Sequence, residues 1–249
     1  MGASTTEIEL KLLLPSRDAH ARVRALLDPD RRARVVLQEN AFLDTRALDL
    51  RAAGFSLRLR TTRARPPDVA DVTHALTLKG KGRAANETEN PLSVRPELER
   101  AVDGDAFDAL ATGERDPFAF FDDDAPDARA LVDGARRARA GRSLAVVGRF
   151  ANERTHLPVT LALPSGHGAL VVELDETDFG DGARVYEVEL EVRETRDADP
   201  ALRWLEGLLA SIDVVGVPAP GKASRFFARL ALPGAGAPVG APHGDDEAR

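Results

Sequence analysis

Charges of one sign recur two positions apart along this chain: Glu7 and Glu9, Arg58 and Arg60, Lys79 and Lys81, Glu97 and Glu99, Glu173 and Asp175, and Glu187, Glu189 and Glu191. In an extended segment, residues two apart point to the same side. Each set is therefore a stripe of one sign on one strand face. The positions between are apolar, as in Ile8 and Leu10, Leu57 and Leu59, Leu76 and Leu78, Val172 and Leu174, or Val188 and Leu190. An antiparallel sheet with one wet face accounts for any single strand of this kind. It accounts poorly for like-sign repetition on strand after strand, because neighbouring like charges repel. The other reading is a closed barrel with the charged face inward and helices over the apolar face. Buried unpaired charge costs several kcal/mol per ion, so such a lumen must be hydrated or filled by something that pairs with both signs. A polyphosphate with divalent cations does this, since Arg and Lys take phosphate oxygens and carboxylates take the metal. Carboxylate donors with no Cys and few His suit Mg²⁺ or Mn²⁺ rather than zinc.

The elements that would hold these residues are legible from periodicity. Strands are expected over 7–14, 35–44, 55–61, 74–81, 94–102, 144–149, 153–162, 169–175 and 184–193, with DFGDG at 178–182 turning the last two into a hairpin. Residues 62–73, with two prolines, form a polar loop. Ser16 caps a helix running to about Leu27, with Ala21, Val23, Leu26 and Leu27 near its apolar side. The aspartate-rich stretch 103–143 reads as a small helical insert rather than a separate domain. Asp199 and Pro200 serve as N-cap and first residue of a helix carrying Leu202, Leu205, Leu208, Leu209 and Ile212. A last helix spans about 221–231, and the Gly/Pro-rich tail 233–249 is expected to be disordered.

Composition excludes several function classes. The 249 residues carry a net charge of −7, which argues against coating nucleic acid. Without cysteine there are no disulfides, thiolate metal sites or thiol nucleophiles. No apolar run approaches the ~18 residues of a membrane span, and the N-terminus shows no signal-peptide core, so a cytoplasmic protein is expected. His20, His74, His156, His167 and His243 have no metal-ligand spacing, GKGR at 80–83 is not a P-loop, GHG at 166–168 reads as a hairpin turn, and Trp204 reads as packing.

The N-terminal EIELK (Glu7, Glu9, Lys11) resembles the ExExK signature of the CYTH superfamily, the triphosphate tunnel metalloenzymes. FLDT at 42–45, SLRLR, LTLKGKG, RPELER, ELDETDFGDGARVYEVELE and GKASRFFARL resemble the family's later motifs in order, from residue 7 to about 230. One departure is RFANER, with Asn152 where a second basic residue often stands and Arg149 as a candidate substitute. The resemblance implies an α+β fold: an eight-stranded antiparallel closed β-barrel, the triphosphate tunnel, with covering helices, occupying residues 1–232. Carried over by position, Glu7, Glu9, Asp175, Glu187 and Glu189 are implied metal ligands for Mg²⁺ or Mn²⁺. Lys11, Arg58, Arg60, Lys79, Arg154 and Lys222 are implied phosphate contacts, and Glu97, Glu99, Lys81, Glu173 and Glu191 supporting residues. Lys79 or Lys222 would serve as general acid or base if neighbouring cations lowered its pKa. Expected activities are hydrolysis of inorganic or organic triphosphate, cyclisation of ATP as in class IV adenylate cyclases, or non-catalytic polyphosphate binding. The expected partner is a small-molecule triphosphate, not nucleic acid or membrane, acted on by a monomer or homodimer.

Overall fold

The computed structural model describes residues 5–65, 72–82, 90–122 and 126–230. The tail 233–249 lies outside them, as does part of the 62–73 loop.

Eight strands alternate in direction and close on themselves. They are β1 (Thr5–Leu14), β2 (Arg34–Asp44), β3 (Ser56–Ala64), β4 (Val72–Lys79), β5 (Leu92–Val102), β6 (Ala145–Leu163), β7 (Gly166–Asp178) and β8 (Arg184–Glu191). Their order is β5-β4-β3-β2-β6-β7-β8-β1, with β1 also pairing β5, and a two-residue β9 (Val217–Pro218) adds to β1. Closure leaves the inner and outer faces in different environments, and the period-two pattern sorts residues between them.

The outer face is apolar and roofed in two places. Leu10, Leu12, Val172, Leu174, Val188 and Leu190 pack under α1 (Arg17–Leu27) and α5 (Ala198–Ala210), through Ala19 and Val23 of the first and Ala201, Leu205 and Leu209 of the second. Leu57, Leu59, Leu76, Leu78 and Leu98 pack under α2 (Asp49–Ala52), α3 (Gly104–Thr112), the 3₁₀ turn Pro117–Phe121 and α4 (Pro126–Arg139). Most of this second roof, α3, the 3₁₀ turn and α4, falls within the expected helical stretch 103–143. Each fully buried aliphatic side chain here contributes about 1.5–3 kcal/mol, which lets the inner face be given over to charge.

Several local expectations are corrected. The separate strands 144–149 and 153–162 are one strand, because Phe150, Asn152 and Arg154 keep period two across the supposed break. Pro158 is tolerated because β2 pairs no further along β6 than His156, so no ladder bond needs its missing N–H on that side. GHG at 166–168 begins β7 rather than forming the turn. α5 begins at Ala198, not at Pro200, following a 3₁₀ turn over Thr195–Asp197. The buried Asp197 carboxylate is committed elsewhere, accepting from Ser165 N at 3.0 Å and Ser165 Oγ at 2.5 Å. Pro200 then lies in the first turn, where an N–H has no intrahelical partner to lose. On α1, Ser16 Oγ accepts from Ala19 N as expected, but Ala21 and Leu26 are exposed and only Ala19 and Val23 are buried.

The last helix, α6 (Lys222–Leu230), lies across one end of the barrel. Phe226 and Phe227 pack with tilted rings against Phe42, an inward residue of β2, at centroid distances of 5.0 and 5.1 Å, and Phe150 and Phe179 complete the cluster. Gly148 makes this approach possible, since a Cβ there would run into the Phe226 ring. Gly148→Ala is therefore expected to destabilise the protein by about 1–3 kcal/mol, the usual range for overpacking. A lowered thermal midpoint checks this, and an unchanged one would mean that Phe226 yields freely.

Candidate active site

The inward face of the barrel lines a cavity of about 340 Å³. Glu7, Glu9 and Lys11 come from β1, Arg58 and Arg60 from β3, and Thr77 and Lys79 from β4. β5 contributes Arg95, Glu97 and Glu99, β6 contributes Asn152 and Arg154, and Glu173, Glu189 and Glu191 come from β7 and β8. Asp175 and Glu187 lie behind this lining, fully buried and tied to it by Lys222.

Register puts acid opposite acid on one wall. Glu9 faces Glu191, Glu173 faces Glu189, and Asp175 faces Glu187. Directly opposed like charges destabilise a strand pair, and here cations reaching in from elsewhere relieve them. Lys11 Nζ lies 2.8 Å from Glu9 Oε2 and 3.1 Å from Glu189 Oε1. Arg154 Nη2 lies 2.7 Å from Asp175 and 2.6 Å from Glu189, and Arg154 also pairs with Glu173. Lys222 Nζ, from the first residue of α6, lies 2.7 Å from Asp175, 3.1 Å from Glu187 and 2.6 Å from Glu189. Burial disfavours the charged form of Glu189, but Lys11, Lys222 and Arg154 outweigh it and hold its carboxyl well below the usual range. Of these three cations, Arg154 alone pairs with Glu173 among the described residues. Burial, reinforced by Asp175, Glu189 and Glu9 against the pull of Arg154, pushes it up to about 7.

The opposite wall is cationic and differently satisfied. Lys79 bridges Glu7 at 2.7 Å and Glu97 at 2.8 Å, and Glu99 accepts from Thr77 Oγ1 at 3.0 Å. Arg58 and Arg60 have no carboxylate within ion-pair distance among the described residues. Arg58 donates to Thr77 Oγ1 at 3.3 Å, its Nε is buried without a partner, and Arg60 donates to Asn40 Oδ1 at 3.1 Å. Burial, with Arg58 and Arg154 nearby, pushes the Arg60 guanidinium down to about 9, and burial lowers Arg58 as well. A pair of part-buried guanidiniums with no direct ion pair among the described residues is a site that gains by accepting an anion.

Other placements differ from expectation. β4 ends at Lys79, so the alternation that would carry Lys81 inward is lost and Lys81 is exposed. Arg149 has the outward parity of β6 and is exposed, so it does not substitute for a second cation. Asn152 takes that place as a buried neutral group, donating to Gln38 and Asp175 and accepting from Thr177. Lys222 is surrounded by carboxylates rather than cations. Burial opposes its charge, but Asp175, Glu187 and Glu189 prevail and raise its pKa, so it lacks the lowered pKa of the expected acid–base group. Outside the cavity, Trp204 packs at the edge of the α5 core, His20 lies beside Tyr186, and His74 bonds Thr61.

Two charged residues that the structure brings to the site, Arg95 and Arg225, are missed by sequence reasoning. Arg95 lines the cavity, donating to Ser93 Oγ and lying 3.7 Å from Glu7. Its signal is shared parity with Glu97 and Glu99. Arg225 reaches Glu187 at 2.5 Å, and its signal is the i,i+3 relation to Lys222 on one helix face.

Among the described residues, two sets of carboxylates offer oxygens within 4.8 Å of one another: Glu9, Glu173 and Glu189, and Asp175, Glu187 and Glu189. Glu173 belongs to the first, whereas Glu7 lies outside both. These are hard oxygen donors with no thiolate or imidazole among them, a set that fits Mg²⁺ or Mn²⁺.

A closed antiparallel barrel with this two-signed lumen defines a tunnel protein. The CYTH domain family model matches residues 5–227, and the chain belongs to that family. No curated protein matches the chain. Among similar solved structures is an adenylyl cyclase candidate from Hippeastrum that reveals a dominant triphosphatase activity. It is 28% identical, with 91% of this chain and 98% of that chain covered and a TM-score of 0.68. An adenylate cyclase candidate from Bacillus halodurans is 18% identical with a TM-score of 0.61, covering 90% of this chain and 99% of its own. PH1819 from Pyrococcus horikoshii is 16% identical with a TM-score of 0.55, covering 89% of this chain and 99% of its own.

Proposed function

We propose that this protein is a Mg²⁺- or Mn²⁺-dependent hydrolase of inorganic triphosphate or small organic triphosphates bound within the barrel. The observation that carries this reading is the asymmetry of the lumen, in which Arg58 and Arg60 make no ion pair among the described residues while the facing acids gather in groups spaced for a cation. The triphosphatase activity of the Hippeastrum protein supports it. Arg58, Arg60 and Lys79 would take phosphate oxygens. Glu9, Glu173, Asp175, Glu187 and Glu189 would hold the metal, with Glu7 and Glu97 orienting Lys79. The divalent ion supplies charge neutralisation at phosphate oxygens and activation of water. The chain's own part is to align the phosphates and to stabilise the charge that develops between them.

The name of the Hippeastrum protein also raises ATP cyclisation. That needs a surface for adenine, and the aromatic rings at the cavity, Phe42 and Phe150, are only 3% and 5% exposed under Phe226 and Phe227. Hydrolysis is therefore the better reading. A small-molecule substrate, a cytoplasmic setting and a monomer or homodimer accompany it. Among the described residues no helix is long and apolar enough to cross a membrane. A panel of inorganic triphosphate, thiamine triphosphate and ATP with Mg²⁺ or Mn²⁺ tests the proposal. Phosphate release is expected, and cyclic AMP as the dominant product would replace hydrolase with cyclase.

A further inference from the structure

The Lys222 ammonium stands where three carboxylates converge. Its Nζ lies 2.7 Å from Asp175 Oδ2, 3.1 Å from Glu187 Oε2 and 2.6 Å from Glu189 Oε1, and these are the residues of one of the two cation-spaced groups. An ammonium within 3.1 Å of an oxygen of each of three carboxylates occupies the space between them that a divalent ion would need. A unit charge and a double charge cannot share that point, since their repulsion at contact distance is large in a poorly solvated site. We propose that Lys222 and the divalent metal compete for Asp175, Glu187 and Glu189, so that loading of the metal frees Lys222 for the phosphates. The inference rests on the metal-dependent reading above.

The surroundings allow such an exchange without refolding. Arg154 holds Asp175 and Glu189, and Arg225 holds Glu187, so all three carboxylates keep a cation partner when Lys222 leaves. The body of α6 is anchored through Phe226 and Phe227 on Phe42. Lys222 is the first residue of the helix, and with Gly221 and Ala223 it already borders the cavity. Its Nζ thus stands at the boundary between the acidic wall and the lumen. The second carboxylate group is less completely filled by lysine, as Lys11 reaches Glu9 and Glu189 but makes no ion pair with Glu173.

Calorimetric titration of Mn²⁺ into the full chain without any triphosphate tests this, comparing the natural protein with Lys222→Met. Removing a charged group that makes three ion pairs in the site is expected to tighten Mn²⁺ binding by about tenfold or more. A second arm uses the unaltered chain: acetylation of Lys222, read by peptide mass spectrometry, should be slow without metal and faster with Mn²⁺. This arm decides the matter even where Lys222→Met folds poorly. Equal or weaker Mn²⁺ binding by Lys222→Met, or acetylation indifferent to Mn²⁺, overturns the competition. Absence of Mn²⁺ binding in both proteins overturns the metal-dependent reading itself, and the competition with it.

Discussion

Replacing Glu189 with glutamine is expected to lower turnover by about 10²-fold or more, the scale for loss of one directed electrostatic contact. Among the described residues no other acid in the lumen is so connected: its carboxylate meets Lys11, Arg154 and Lys222, and it belongs to both cation-spaced groups. The same change should destabilise the protein by about 3–5 kcal/mol, because it leaves buried cations short of a partner. Like-charge repulsion along β8 would predict the opposite sign, but the three cations outweigh it. The pH dependence follows from the depressed pKa of Glu189. A carboxylate held below its ordinary value of 4.5 contributes stability above that pH and loses it as pH falls through the folded-state pKa. Thermal melts should therefore show the largest gap between the natural protein and Glu189→Gln at neutral pH, narrowing as the solution becomes strongly acidic. Equal melting at pH 7 would show that Glu189 is not the hub that its contacts describe.

Chelation is the second large effect. Removing divalent metal with EDTA should abolish triphosphate hydrolysis, and Mg²⁺ or Mn²⁺ should restore it. A metal at phosphate oxygens is worth several kcal/mol of transition-state stabilisation, which is two or more orders of magnitude in rate. The chain's own cations do not replace it. Lys11, Arg154 and Lys222 are committed to the acidic wall and Lys79 to Glu7 and Glu97, which leaves Arg58 and Arg60 as the lumen arginines without a carboxylate among the described residues. Full turnover in chelator would remove the metal from the mechanism and leave the acidic wall as internal counter-charge.

The residues that face the lumen are legible in the sequence alone, and for a local reason. Side-chain direction alternates along a strand, so Glu7 with Glu9, Arg58 with Arg60, and Glu189 with Glu191 declare their common face from spacing. The same periodicity marks Leu57, Leu78 and Val188 for the outer cores. Where a strand ends, the rule fails. Lys81 shares the parity of Lys79, but the ladder stops at Lys79 and its side chain leaves the barrel. The separate strands expected on either side of residues 150–152 fail in the other direction, because a polar Asn152 belongs inside this barrel rather than in a loop.

Which cation meets which acid is decided only by the tertiary structure. Lys222 comes from a helix at the far end of the chain, and its three partners come from β7 and β8. Nothing in local spacing relates them, and a helix-start lysine reads equally as a surface residue. Arg225 and the phenylalanine closure of the barrel end are likewise products of where α6 docks. The split between Arg58 and Arg60, which make no ion pair among the described residues, and the paired Lys11, Lys79 and Lys222 has the same origin. Pairing is set by register and closure around the whole barrel, whereas sequence periodicity reports only the side of a strand from which a charge projects.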